Sequence, residues 1–196
     1  MSGMKQTLLF FAILLFSTKV EAQSRKQVKE YKIKSTTETT TLLENGKETA
    51  TYKSSYKAFD KDGNVIEEVD YNKDGSTRKR VRTKYAGKEK TEEIVENNKS
   101  SKDNSEDPKY SRTTWKHNSN GDKTEEIQYD QAGNIIQRTT FTYNGKGEKL
   151  MELTMDASGK IIRKEVYAYN AKGLKTEKKI YGPNDTLIKV IKYTYA

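Results

Sequence analysis

The sequence has no cysteine, one histidine, two prolines and one tryptophan in 196 residues. Without cysteine there is no disulfide framework, thiolate zinc site, iron–sulfur cluster or cysteine nucleophile. A single histidine, His117, leaves almost no room for a histidine-based metal site or a Ser-His-Asp triad. Apolar residues are scarce as well, at 32% against roughly half in an average domain. Much of that content sits in one N-terminal run, which excludes a large dry core downstream. Length allows one domain or two small ones.

That apolar run, Thr7 to Ser17, follows Lys5 and precedes Val20-Glu21-Ala22, a small-x-small cleavage pattern. Residues 1–22 therefore read as a signal peptide cleaved before Gln23. A run of eleven residues is too short to span a bilayer, so no transmembrane anchor is expected. Removing Lys5, Lys19 and Glu21 with the segment changes the net charge from +9 to +8. The expected product is secreted, periplasmic or cell-surface associated, and export disfavours nucleic acid as a partner.

What the chain does have is regular punctuation. Asp/Asn-x-x-Gly begins at 60, 72, 118, 130, 144, 156 and 170, with steps of 12 and 14 that add to a 26-residue repeat. Asn45-Gly46, Ala86-Gly87, Asn98 and Gly182-Pro183-Asn184-Asp185 continue the series. One interval, from 98 to 118, is six residues too long and holds a polar inserted loop at 99–109. Asp or Asn first and Gly last suits a type I turn closed by a left-handed residue, the turn of a bulged hairpin. The segments between turns alternate and are rich in Tyr, Ile, Val and Thr, for example Ile161 to Tyr169. The pattern predicts an all-β, antiparallel up-and-down meander of about a dozen strands in a curled sheet, over residues 45–196, and no helix. The polar segment 23–44 reads equally as an edge strand or a flexible lead-in.

The residue before each turn is nearly always aromatic: Phe59, Tyr71, Tyr85, His117, Tyr129, Tyr143, Tyr169, Tyr181 and Tyr195, with Met155 once. Two residues earlier stand Val69, Val95, Trp115, Ile127, Phe141, Leu153, Tyr167 and Tyr193. A strict period of two places all of these on one face. Ile66, Ile136, Leu150, Ile162, Val166, Ile180, Ile188 and Val190 then fall on the other. Trp115, Phe141, Tyr143, Tyr167, Tyr169, Tyr193 and Tyr195 are the candidate ligand-binding residues, either as a half-wet groove or as plain core.

Other constellations carry less. Glu67-Glu68, Glu92-Glu93 and Glu125-Glu126 are neighbours on strands and point to opposite faces, so no catalytic residue is assigned and the chain is not expected to be an enzyme. His117 fills an aromatic slot of the repeat. Asp70 to Gly75 copies the first half of an EF-hand loop, but Val81 stands where the bidentate Glu belongs, so the segment reads as a hairpin turn; neither metal nor cofactor is expected. Arg78, Arg80, Arg82 and Lys84 form a basic row suited to a polyanion, with Arg78 expected to face Asp70 and Arg80 to face Glu68.

The run Tyr129-Asp130-Gln131-Ala132-Gly133-Asn134-Ile135 resembles the core of YD repeats, the unit of RHS-type proteins, and Tyr71-Asn72, Tyr143-Asn144 and Tyr169-Asn170 are similar with Asn for Asp. The resemblance covers roughly residues 45–196; variant MORN repeats are a more distant likeness. It implies side-by-side β-hairpins in a curling sheet, in exported proteins often linked to carbohydrate binding. The function expected is a non-catalytic envelope or extracellular binding or structural module, with an envelope glycan or acidic polymer as ligand. The alternative is a component of an exported assembly that pairs with a protein partner through its sheet edges.

Overall fold

The computed structural model describes residues 24–98 and 108–195. The expected signal peptide and residues 99–107 of the inserted loop lie outside the described residues. Twelve strands form one antiparallel sheet in sequence order: β1 (Ser35–Glu44), β2 (Lys47–Phe59), β3 (Val65–Tyr71), β4 (Thr77–Ala86), β5 (Glu89–Asn97), β6 (Tyr110–His117), β7 (Lys123–Tyr129), β8 (Ile135–Tyr143), β9 (Lys149–Asp156), β10 (Ile161–Tyr169), β11 (Lys175–Tyr181) and β12 (Leu187–Lys192). β1 and β12 do not pair, so the sheet stays open. The threonine-rich segment left undecided by its composition is the edge strand β1.

Each Asp/Asn-x-x-Gly motif forms the expected turn. At Asp130 the backbone N–H donates to Asn134 O at 2.9 Å, the Gly133 N–H donates to Asp130 O at 3.2 Å, and the Asp130 carboxylate accepts the Asn134 N–H at 2.8 Å. Gly133 has φ +89°, where an L side chain is strained. Gly63 adds a steric limit, since a Cβ there would lie 2.6 Å from the carbonyl oxygen of Arg25. Gly133→Ala is therefore expected to cost roughly 1 kcal/mol from backbone strain alone. Gly63→Ala should cost clearly more when both variants are compared by urea titration, because it also displaces residues 24–31.

Those residues hold a correction, since the alternating pattern predicted no helix. Arg25–Glu30 is a short helix, α1, opened by a reciprocal capping box between Ser24 and Gln27. Six residues are too short to show a helical period, and Ser24-x-x-Gln27 was the only sequence signal. Arg25 Nε donates to Asp62 O at 3.0 Å and Lys29 pairs with Asp62 at 3.2 Å, tying α1 to the β2–β3 turn. Val28, 1% exposed, shares an apolar hollow with Ile33 and Phe59.

Beyond each tight turn the register slips by one residue, because the returning strand carries an extra residue. In β7–β8, Tyr129 faces Ile135 but Gln128 faces Gln137, leaving Ile136 bulged and exposed. Only β5–β6, joined through the inserted loop, lacks such a slip. A bulge shifts pairing by one residue, and with a side-chain period of two that exchanges faces.

Among the described residues, extensive contacts between strands link only those adjacent in sequence. In a sheet one layer thick, side chains are buried mainly by lateral neighbours. Buried positions are accordingly as often polar as apolar: Val69, Ile127, Phe141, Tyr167 and Ile180 alongside Thr83, Glu92, Thr139, Thr154 and Glu165.

Candidate functional site

The bulges correct the single aromatic ladder. Pre-turn residues at one end of the strands, Phe59, Tyr85, His117, Tyr143, Tyr169 and Tyr195, lie on one face, here called the front. Those at the other end, Tyr71, Tyr129, Met155 and Tyr181, lie on the back with Val69, Ile127 and Leu153. Ile180, placed by simple alternation opposite the ladder, pairs with Glu165 on the front and is buried. A period of two cannot see a residue that leaves the pleat.

All seven candidate ligand-binding residues nevertheless share the front face. Trp115, Phe141, Tyr167 and Tyr193 recur every 26 residues along one row, and Tyr143, Tyr169 and Tyr195 along a second. Between the rings of the first row stand lysines. Lys90 lies 5.8 Å from the Trp115 ring. Lys123 and Lys149 flank Phe141 at 4.7 and 5.4 Å, Lys149 and Lys175 flank Tyr167 at 4.9 and 4.6 Å, and Lys175 lies 5.9 Å from Tyr193. Cation–π contact is strongest where water is excluded. Phe141 and Tyr167 are only 9% and 7% exposed; Trp115, Tyr143, Tyr169 and Tyr193 are half-buried, and Tyr195 is exposed. The second row stitches neighbouring strands: the hydroxyls of Tyr143, Tyr169 and Tyr195 donate to the carbonyls of Lys123, Lys149 and Lys175 at 2.7, 2.9 and 2.6 Å. Burial, with nearby carboxylates, raises the phenol pKa of Tyr143 and Tyr169.

Carboxylates complete the front face, and sequence reasoning missed them. Lys90–Glu93, Lys123–Glu126 and Lys149–Glu152 are ion pairs within single strands at 2.5, 2.6 and 2.8 Å. Three residues apart is the wrong spacing for a flat strand, but the bulge between them brings both onto one face. The signal available was the recurrence of Lys-x-x-Glu at the start of a strand, at 90, 123 and 149. Glu126 also accepts from Trp115 Nε1 at 2.9 Å; burial would raise its pKa, yet Lys123 and Trp115 bring it below the ordinary value. Glu165 is buried more deeply and accepts from Lys178 at 2.6 Å, Arg163 at 2.6 Å and the Tyr167 hydroxyl at 2.5 Å. Burial opposes its charge, but these three donors lower its pKa to about 2. Burial and the bond to Glu165 together raise the pKa of Tyr167.

Among these groups lies a shallow trough of about 590 Å³, floored by Phe141 and Tyr143 and walled by Gln137, Thr139, Thr154 and Arg163 together with two of the lysine–glutamate pairs. It offers amide, hydroxyl, carboxylate and ammonium groups around aromatic edges.

The basic row fares differently. Asn72 opposes Ser76 as expected, but the following bulge pairs Val69, not Glu68, with Arg80. Arg80, Arg82 and Lys84 lie on the back face and meet Glu67 at 3.5 Å, Glu96 at 2.8 Å and Glu92 at 2.5 Å. Arg78 is the bulged residue and leaves the row for Asp70, at 2.8 Å. All four cations thus have carboxylate partners, where simple alternation left half of the row free. Glu92, also bound by Arg112 at 2.6 Å, has a lowered pKa through Lys84 in spite of burial. The EF-hand-like segment is a hairpin turn in which Asp74 accepts the Ser76 N–H at 2.9 Å.

The fold defines a single-layer β-hairpin repeat protein. No family model matches the sequence, and no curated protein matches it either. Among solved structures, the chain is similar to a crystal structure of TcdB2-TccC3-TEV, at 13% identity and TM-score 0.29 over 76% of this chain. It is also similar to those of TcdB2-TccC3, at 14% and 0.30 over 78%, and TcdB2-TccC3-Cdc42, at 14% and 0.24 over 78%. The chain spans 9% of the length of each of those chains.

Proposed function

We propose that this protein is a non-catalytic module exported to the cell envelope or exterior, which binds a glycan along the front face of its sheet. The trough at Phe141 carries the reading. Its charges are compensated internally, Lys123 by Glu126 and Lys149 by Glu152, so it offers a dense set of hydrogen-bonding groups with little net field. Polyhydroxylated chains suit such a surface, since each hydroxyl both donates and accepts. The ring faces of Phe141 are occupied by lysines, so recognition rests on polar contacts, with ring edges as an apolar floor. The YD-like turns are consistent with an exported repeat protein of this kind.

The test is an array of neutral and acidic oligosaccharides probed with the full chain and with Gln137→Ala. Gln137 is a half-buried trough residue, and the expected result is saturable binding by the wild type, weakened at least about fivefold in the variant. An array without any bound glycan would remove this reading.

A second reading, pairing with a protein through a sheet edge, is favoured by β12. Its Leu187, Ile188 and Val190 are exposed, and the strand has a neighbour on one side only among the described residues.

A further inference from the structure

The lysine–glutamate rungs of β5, β7 and β9 are not continued in β11. Lys90, Lys123 and Lys149 each hold the carboxylate of the glutamate three residues on. In β11 the same position relative to Lys175 is occupied by Lys178, whose ammonium turns to Glu165 at 2.6 Å. Lys175 lies between the rings of Tyr167 and Tyr193, at 4.6 and 5.9 Å, and has no carboxylate partner among the described residues. A second cation thus stands beside an ammonium that the repeat elsewhere neutralises. Both lysines are half-buried, so their charges are less screened than those of turn lysines such as the exposed Lys172.

We propose that Lys175 receives the carboxylate of an acidic sugar unit, which takes the place that Glu126 and Glu152 hold on the preceding rungs. The geometry favours a carboxylate because three equivalent ammoniums on this face each bind one at hydrogen-bonding distance. It favours a sugar because Lys149, which lines the trough on β7–β10, covers the same Tyr167 ring as Lys175, so this rung is the trough's next neighbour and the inference rests on the glycan reading above. The bound chain would lie across the strands, neutral units over the compensated rungs and a uronate at β11. The anionic partner sought in the row from Arg78 to Lys84 is thereby assigned to the opposite face, where a cation is free to meet it.

The experiment is calorimetric titration of the full chain with hexamers of galacturonate and of hyaluronan, each against its carboxyl methyl ester. The esters keep shape and hydroxyls and lose only the charge. The expected result is that at least one acid binds about tenfold or more tightly than its ester. Lys175→Gln should lower the acid to the affinity of the ester without weakening the ester, Lys175→Arg should keep the preference, and Lys172→Gln should leave it unchanged. Equal affinity for acid and ester in the wild type, or a preference surviving in Lys175→Gln, overturns this assignment and leaves the glycan reading standing. Failure of all four probes, together with an array on which no glycan binds, removes both.

Discussion

Replacing Tyr167 by alanine is expected to lower the unfolding free energy by about 3–5 kcal/mol, the range for large-to-small changes at buried aromatic sites. The ring is nearly inaccessible although no second layer covers it, because Lys149 and Lys175 close over its two faces and its hydroxyl is bound to Glu165. Its removal opens a gap between β9 and β11 and takes one donor from a buried carboxylate. Tyr167→Phe should cost only about 1 kcal/mol, the worth of the hydroxyl bond. Tyr195→Ala, at a ring 54% exposed, should also stay near 1 kcal/mol despite the identical place of Tyr195 in the aromatic pattern. Urea titrations followed by tyrosine fluorescence measure all three. Equal losses for Tyr167→Ala and Tyr195→Ala would mean that burial by lysine stems does not stabilise the ladder.

Acid should weaken the protein through Glu165. Its pKa is depressed from 4.5 to about 2 in the folded chain, so its contribution is complete above pH 4.5 and disappears as the pH falls toward 2. The difference corresponds to on the order of 3 kcal/mol at neutral pH. Glu165→Gln should therefore melt well below the wild type at pH 7, by roughly 6–12 °C at a few degrees per kcal/mol. The gap should close by pH 2. Other depressed carboxylates, among them Glu92 and the turn residues Asp130 and Asp156, make both proteins acid-sensitive, so the informative quantity is the difference between the two curves. A difference that stays constant from pH 7 to pH 2 would show that Glu165 acts by shape and not by charge.

The sequence showed its turns because they depend on local chemistry: an Asx side chain, a left-handed glycine and the steps of 12 and 14 residues between them. Strand count and meander topology followed from those. Which face a side chain occupies depends instead on one bulged residue per hairpin. Ile136, Ile162 and Ile188 look like members of a back-face apolar row, but they are the displaced residues themselves. The seven aromatic candidates kept their common face because all come from strands an even number of hairpins apart, so that the displacements cancel. The lysine–glutamate rungs were hidden by the same device, since a spacing of three seems to divide a pair between faces until a bulge reunites it. α1 was missed for a different reason: in a helix of six residues the capping box is nearly the whole signal.

The slip after each turn also constrains how a gene for such a protein can change in length. Deleting a single strand with its turn would reverse every later strand and exchange front for back beyond the join, so that Lys149 and Tyr167 would continue a surface built of Glu67, Arg80 and Glu96. Losing or duplicating a stretch of 26 residues preserves both direction and face, and the new copy meets the neighbours it was shaped for. Viable length variants of this chain should therefore differ by whole pairs of strands, and the break at Lys178 could be carried along the ladder only in steps of 26.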